Sequence, residues 1–122
     1  MANLTEAIVG DWLDRYIQAW RTYDETQIGD LFTEDASYCY RPGDEPVVGR
    51  EEIVESWREE TDPPGTWEAE YSPWLVEGDR AIATGWTQYT AGQRYWNMFQ
   101  LVFLDGKCSS FTEWYMTPRE ED

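Results

Sequence analysis

The chain has 122 residues and carries 25 acidic but only nine basic side chains, which gives a formal charge of -16. A chain of this length is expected to form one domain that buries roughly two-thirds of the surface exposed when it is unfolded. The negative charge argues against binding to nucleic acid or to anionic membranes, and no window has the apolar length of a membrane span.

Two explanations of the acidic composition remain open. The first is adaptation to a saline environment, because dense carboxylates keep a protein hydrated and soluble at high salt. The alternative is a generally acidic proteome in which arginine is preferred to lysine, since Lys107 is the only lysine. Clear destabilisation at low ionic strength would favour the first explanation.

The cysteines and the N-terminal segment predict a cytoplasmic protein. Cys39 and Cys108 match no metal-binding or redox spacing, and MANLTEAIVG lacks the basic flank and apolar run of a signal peptide. We therefore expect buried or unreactive thiols, with a disulfide between them as the alternative. No metal site is expected, because the chain has no histidine and the acidic row of Glu51, Glu55 and Glu59 resembles a solvated helix face. No organic cofactor is expected either.

The N-terminal part is predicted to be helical. Large apolar side chains recur every four residues at Ile8, Trp12, Tyr16 and Trp20, which indicates an amphipathic helix. Asn3 and Glu6 are spaced as a capping pair at its start. Asp24 then opens a shorter helical segment, DETQIGDLF.

The hydrophobic period changes to two after Asp35, which predicts a strand with Tyr38 and Tyr40 on one face. Prolines and glycine end this strand before the short run Val47–Val48. Gly49 leads into a third predicted helix that turns Trp57 toward the core.

The remainder predicts an antiparallel meander that begins at Trp67. Its four runs are TWEAEYSPWLVE, DRAIATGWTQYT, RYWNMFQLVFL and KCSSFTEWYMT. Asp105-Gly106 is the clearest turn between them, and Pro73 predicts a bulge or bend. The acidic tail, residues 118–122, is expected to fray.

This order of elements resembles the NTF2-like superfamily, in particular its SnoaL-like branch of small single-domain proteins. The resemblance runs from about Ile8 to Thr117 and rests on the segments RYIQAW, LFTEDASY, VVGREEIVESW and FTEWYM. It implies an α+β fold in which a curved, mostly antiparallel sheet forms a cone around a pocket roofed by the N-terminal helices. It also implies a small, largely apolar ligand.

Within that superfamily the ketosteroid isomerases are locally the most similar. Their first helix carries an oxyanion-binding tyrosine in a setting similar to Arg15-Tyr16-Ile17, and their second donor, a protonated aspartate, corresponds to Asn97. An asparagine amide can donate the same bond. Their general base, an aspartate in the first strand, corresponds to Tyr40, and a phenol with a pKa of about 10 is a poor base at neutral pH. This difference disfavours steroid-type isomerisation.

Other branches imply chemistry that this sequence matches less well. A His-Asp pair serves cyclisation or dehydration in some members, and this chain has no histidine. The epoxide hydrolases use an Asp-Arg-Asp set to activate water. Arg94, Arg41 and Glu113 offer similar groups, but their spacing does not require such a site.

Four side chains are the candidates for catalysis: Tyr16, Tyr40, Asn97 and Glu113. Tyr16 and Asn97 would orient a ligand oxygen, and Tyr40 or Glu113 would transfer a proton. Glu113 shares a strand face with Phe111 and Tyr115, so desolvation would raise its pKa; the alternative is an exposed strand glutamate. The remaining candidates are aromatic side chains that would line the pocket or simply pack in the core: Trp12, Trp20, Tyr38, Trp57, Phe99 and Tyr115.

Two functions therefore remain open from the sequence. The first is a pocket protein, an isomerase, cyclase or hydrolase acting on a small apolar carbonyl or hydroxyl compound. The second is a non-catalytic binding or assembly module whose cone is filled by its own rings. Trp96 and Met98, in register with Trp114 and Met116, predict an exposed aromatic surface and a homodimer through the outer face of the sheet. An open pocket would favour the first function, and a plugged one the second.

Overall fold

The computed structural model describes residues 4–118, in which three helices pack against a curved six-stranded sheet. The predicted frayed tail, apart from Pro118, lies outside the described residues. The elements are α1 Glu6–Thr22, α2 Glu25–Gly29, β1 Phe32–Cys39, β2 Val47–Val48, α3 Arg50–Glu59, β3 Trp67–Glu77, β4 Arg80–Tyr89, β5 Arg94–Leu104 and β6 Lys107–Met116. This architecture confirms the predicted α+β cone.

The cap of α1 differs from the prediction. Thr5 is the N-cap, and its hydroxyl accepts a hydrogen bond of 3.2 Å from the backbone N–H of Ile8. The predicted cap, Asn3, lies outside the described residues and precedes this position. Thr5 fits the role because its extended backbone places the hydroxyl over the first free N–H groups of the helix.

The sheet has the strand order β2-β1-β6-β5-β4-β3. Strands β3 to β6 form the predicted antiparallel meander, whereas β1 pairs with β6 in parallel, with Tyr38 opposite Phe111. The C-terminal strand therefore lies between β1 and β5. The register of β3 shifts between Pro73 and Leu75, which confirms the bulge predicted at Pro73.

Aromatic rings fill the space between α1 and the sheet. Trp12 is fully buried, and its indole N–H donates a 2.9 Å hydrogen bond to the carbonyl of Leu31, which links α1 to the residue that precedes β1. All four phenylalanines of the chain are buried in this core: Phe32, Phe99, Phe103 and Phe111.

Gly85 allows β3 and β4 to approach each other closely at the base of the cone. A Cβ added at this position would lie 1.9 Å from the carbonyl oxygen of Glu70 and 2.8 Å from Cα of Tyr71. Gly85 also pairs with Asn97 on the other side. The absence of a side chain at Gly85 thus sets the positions of neighbouring residues in the cavity.

The outer face of the sheet carries exposed aromatic side chains, as the alternation in β5 predicts. Trp96 is opposite Met116, and Met98 is opposite Trp114. The guanidinium of Arg94 lies 4.6 Å from the centroid of the Trp96 ring.

Both cysteines are free thiols, so the alternative of a disulfide is wrong. Cys108 is buried, and burial raises the pKa of its thiol to about 12. Over the described part of the chain, helices are too short or too polar to cross a membrane.

Candidate binding and active site

A cavity of about 810 Å³ lies between α1, α3 and the concave face of the sheet. Its floor consists of buried side chains such as Tyr16 and Asn97, and its rim includes exposed ones such as Glu60 and Tyr115. The chain has eight tyrosines, and every one of them lines this cavity: Tyr16, Tyr23, Tyr38, Tyr40, Tyr71, Tyr89, Tyr95 and Tyr115.

The tyrosines and the phenylalanines occupy different places in the fold. The phenylalanines fill the closed core, and none of them lines the cavity. A phenol carries a hydroxyl group that must find a hydrogen-bond partner, whereas a phenyl ring has no such requirement. The distribution leaves a cavity whose walls offer both aromatic faces and hydroxyl groups.

A chain of hydrogen bonds crosses the floor of the cavity and ends at Glu113. The hydroxyl of Thr87 donates to Oδ1 of Asn97 at 2.9 Å. Because its proton is used in that bond, Thr87 accepts from the hydroxyl of Tyr71 at 2.5 Å. The amide Nδ2 of Asn97 then donates to Oε2 of Glu113 at 3.0 Å. Every proton in this sequence of bonds is directed toward the carboxylate, which is the terminal acceptor.

Glu113 has the properties of an acid–base group at neutral pH. Loss of hydration on burial raises the pKa of its carboxyl from 4.5 to about 7, and the hydrogen bond from Asn97 acts in the opposite direction. A pKa near the pH of the surroundings allows a group both to accept and to return a proton. The environment of Glu113 therefore differs from the exposed strand position that the sequence left open as an alternative.

Tyr16 and Tyr38 form a pair of buried hydroxyl groups 3.3 Å apart. Burial raises the pKa of both phenols well above the usual value, and the charge of Glu113 adds to the effect. Both therefore remain protonated donors, and both face the same space as Glu113. Tyr16 is held in place by stacking on Phe111, with ring centroids 5.6 Å apart.

Tyr40 lies at the rim rather than on the floor. It follows the last residue of β1, it is 39% exposed, and its hydroxyl is 2.7 Å from that of Ser56. Burial of its inner part raises its pKa further, and the bond to Ser56 offsets part of that rise. A phenol with a raised pKa is an even weaker base, so of the two candidate bases Glu113 fits better.

Another part of the rim is built around Asp62. The indole N–H of Trp20 donates to Oδ2 of Asp62 at 3.1 Å, and the backbone N–H of Asp62 donates to the hydroxyl of Tyr23 at 2.9 Å. Trp20 itself is stacked on Trp67 with centroids 3.5 Å apart. These contacts fix the position of the Asp62 carboxylate.

Trp57, also in the lining, is a buried donor without a partner. Its ring is 8% exposed, and within residues 4–118 nothing accepts a hydrogen bond from its indole N–H. A buried N–H normally finds an acceptor in the protein, in ordered water or in a ligand.

A family model described as the SnoaL-like domain matches residues 13–111. The chain belongs to the SnoaL-like family. No curated protein matches it.

Solved structures share the fold of this SnoaL-like chain at low sequence identity. An NTF-2-like protein of unknown function from Burkholderia xenovorans is 21% identical, with a TM-score of 0.75 over 96% of this chain and 89% of the other. A candidate ketosteroid isomerase from Kribbella flavida is 19% identical, with a TM-score of 0.73 over 96% and 84%. A LEH-like epoxide hydrolase from M. tuberculosis is 12% identical, with a TM-score of 0.65 over 91% and 84%.

The SnoaL-like cavity brings together most of the residues singled out in the sequence. The four candidate catalytic residues line it: Tyr16, Tyr40, Asn97 and Glu113. Four of the candidate ligand-contacting residues also line it: Trp20, Tyr38, Trp57 and Tyr115. Trp12 and Phe99 do not, because both are enclosed in the core beneath the floor, with exposures of 0% and 1%.

Several polar residues of the site were not predicted from the sequence, among them Tyr71, Thr87 and Asp62. Asn97, once placed on an inner strand face, required a partner, and Thr87 on the adjacent strand is that partner. Tyr71 had a signal in the alternation of β3, where Trp67 and Tyr71 are the buried positions. Asp62 follows α3 in an irregular segment, where no periodicity indicates the direction of a side chain.

The charges of the lining are all of one sign. Its ionisable acids are Glu59, Glu60, Asp62 and Glu113, and in the described part of the chain neither lysine nor arginine contributes to it. Arg94 lies over the rings of Trp86 and Trp96 instead. Residues 4–118 contain no cluster of acidic and cysteine side chains suited to a metal ion.

Proposed function

We propose that this SnoaL-like protein binds a small, largely apolar carbonyl compound in the cavity and catalyses a proton transfer within it. The observation that carries the proposal is the partly buried Glu113 carboxyl at the acceptor end of the Tyr71–Thr87–Asn97 hydrogen bonds. Such an arrangement holds a single carboxylate in a fixed position among aromatic walls.

In the proposed reaction, Glu113 removes a proton from the carbon next to the ligand carbonyl. The electron pair moves onto the carbonyl oxygen, and the O–H of Tyr16, which is paired with Tyr38, donates a hydrogen bond to that oxygen. The protonated Glu113 then returns the proton to a different carbon of the ligand. The result is an isomerisation that needs no added reactant.

Asn97 has a different role in this proposal from the one expected from the sequence, which was to orient a ligand oxygen. Its amide donates to Glu113 and its carbonyl accepts from Thr87, so Asn97 is proposed to position the base rather than to hold the ligand oxygen. The hydroxyl pair of Tyr16 and Tyr38 is proposed to bind the ligand oxygen instead.

Hydrolysis in the manner of the epoxide hydrolases has less support. That chemistry requires an arginine beside the two carboxyl groups, and Arg94 lies on the outer face of the sheet. Arg41 lies beside Tyr115 but outside the lining and is paired with Asp44 at 3.5 Å.

The competing proposal is a non-catalytic module for binding or assembly. The exposed rings of Trp96 and Trp114 favour a homodimer through the outer face of the sheet, and we propose such a dimer in either case. We also propose that the protein is cytoplasmic, because free thiols at Cys39 and Cys108 suit a reducing compartment.

The test is the conversion of a β,γ-unsaturated cyclohexenone to its conjugated isomer, followed by absorbance. Loss of a positioned general base typically costs about 10²- to 10⁴-fold in rate, so Glu113→Gln should slow conversion by at least about 100-fold. Glu68→Gln, on an exposed part of β3, is the matched control and should retain the full rate. An unchanged rate in Glu113→Gln would overturn the catalytic proposal, and binding of the ketone without conversion would favour the module.

A further inference from the structure

We propose that the ligand of this cavity carries a protonated amine in addition to its oxygen function. The inference rests on the proposed function only in placing the ligand in the same cavity. It concerns the class of ligand and not the reaction.

The ionisable carboxyl groups of the walls favour a cationic ligand. Four acidic side chains line the cavity, and no basic side chain among the described residues offsets them. The nearby surface groove between α2 and α3 differs in this respect, because it contains Arg50 and Arg58 beside five acidic side chains. An anionic ligand would enter against this field, whereas a cation would be attracted by it.

The aromatic lining of the cavity also suits a cation. Eight phenol rings and the indoles of Trp20 and Trp57 surround the space. The face of an aromatic ring carries partial negative charge and attracts an ammonium group placed over it. Binding sites for organic ammonium ions combine such rings with carboxylates.

Asp62 offers a carboxylate oxygen to such a ligand. Its Oδ2 accepts the indole N–H of Trp20, whereas its Oδ1 accepts no hydrogen bond from residues 4–118. The carboxylate is thus fixed in position with one oxygen available to a donor. An ammonium group bound at Oδ1 would also lie close to the ring of Trp20.

The hydroxyl pair of Tyr16 and Tyr38 offers a separate polar contact in the same cavity. A phenol O–H donates a hydrogen bond to an acceptor, which an amine cannot provide once it is protonated. A carbonyl or hydroxyl oxygen on the ligand satisfies this requirement. The combination describes a small aromatic or alicyclic amine that also carries oxygen.

The experiment compares three probes built on one ring system and differing in charge: naphthylmethylamine, naphthalenemethanol and naphthoate. Binding is measured by calorimetry at low ionic strength, with competition by the cyclohexenone to establish that the probes occupy the same cavity. The amine should bind about tenfold more tightly than the alcohol, and the carboxylate more weakly than either.

A pair of double variants separates the rim from the general charge of the protein. Glu60→Gln with Asp62→Asn should reduce the affinity for the amine to that for the alcohol and leave the alcohol unaffected. Glu68→Gln with Glu70→Gln removes the same charge from exposed positions of β3 and should leave the preference unchanged.

The outcomes distinguish the two proposals. Equal binding of the amine and the alcohol, or an equal effect of the two double variants, would overturn the inference about the amine and leave the proton-transfer proposal intact. Failure of all three probes to bind would overturn the inference together with the proposed ligand-binding function. Tight amine binding to a protein that does not convert the ketone would support the inference and count against the catalytic proposal.

Discussion

The amide of Asn97 donates a 3.0 Å hydrogen bond to the carboxyl of Glu113, although the two residues are not opposite each other in the sheet. Asn97 pairs with Tyr115, and Glu113 pairs with Phe99, so the two side chains meet along a diagonal between β5 and β6. Residues on such a diagonal lie on the same face and are within reach of long side chains. This contact ties the properties of Glu113 to the floor of the cavity.

Glu113→Gln should stabilise the protein at alkaline pH. The pKa of Glu113 is raised on folding, so the folded state binds more protons than the unfolded state between pH 4.5 and about 7. The stability of the native protein therefore falls as the pH rises through this window, by about 3 kcal/mol. Chemical denaturation should show the variant more stable above pH 7 and equal below pH 4.5, and a constant difference would contradict the assignment.

Asn97→Leu should raise the pKa of Glu113 above its present value of about 7, because the amide bond favours the charged carboxylate. The change also leaves the Thr87 hydroxyl without its acceptor, at a cost of about 1 to 3 kcal/mol. An NMR titration of the Glu113 carboxyl would measure the shift. Thr87→Val, which removes the bond holding the amide in orientation, should move the midpoint in the same direction, and an unchanged midpoint in both would show that the hydrogen bonds do not act on Glu113.

Gly85→Ala should destabilise the fold by about 3 kcal/mol, because the added carbon cannot be accommodated without separating β3 from β4. Gly10→Ala is the control. Gly10 lies within α1, and a Cβ there meets nothing within 4 Å, so alanine should stabilise the helix by up to about 1 kcal/mol. Thermal denaturation of the two variants should give shifts of opposite sign.

Trp96→Glu combined with Trp114→Glu should convert the proposed dimer to a monomer. The two rings are 47% and 42% exposed, and carboxylates at these positions would repel their counterparts across the interface. Sedimentation at micromolar concentration measures the change, with Trp74→Glu as a control, since Trp74 is exposed at the bulge of the edge strand β3. A monomeric parent protein would contradict the prediction.

The melting temperature should rise with added salt if the charge of -16 reflects adaptation to saline conditions. Salt screens repulsion among the surface carboxylates and so stabilises the compact state. A series of thermal melts from low to molar sodium chloride makes the comparison. A flat response would favour the second explanation, a generally acidic composition.

The order and type of the elements could be predicted because local patterns specify them. The alternation in RYWNMFQLVFL placed Asn97 and Phe99 inward and Trp96 outward, and Pro73 marked its bulge correctly. The parallel pairing of β1 with β6 has no corresponding local pattern in the sequence. It depends on how the sheet curls around α1, which no local pattern contains.

Site residues in strands could be predicted, because the alternation of side chains along a strand decides which of them are buried. Site residues in loops could not be predicted in this way. The alternation placed Glu113 beside Phe111 and Tyr115, and its inner position followed. For Trp12 and Phe99 the sequence leaves lining and core packing both open, because a single strand or helix cannot show which buried rings border a hollow and which lie beneath it. The grouping of all eight tyrosines around one cavity emerges only when every element is in place.

The insertion of β6 beside β1 has a consequence for synthesis of the protein. Tyr38 stacks on Phe111 with ring centroids 4.3 Å apart. Strand β1 is therefore synthesised early but can pair with β6 only when those residues leave the ribosome near the end of translation. Until then the edge of β1 that pairs with β6 has no partner strand. Nascent chains released before Lys107 should therefore be targets for chaperones or proteases rather than stable fragments.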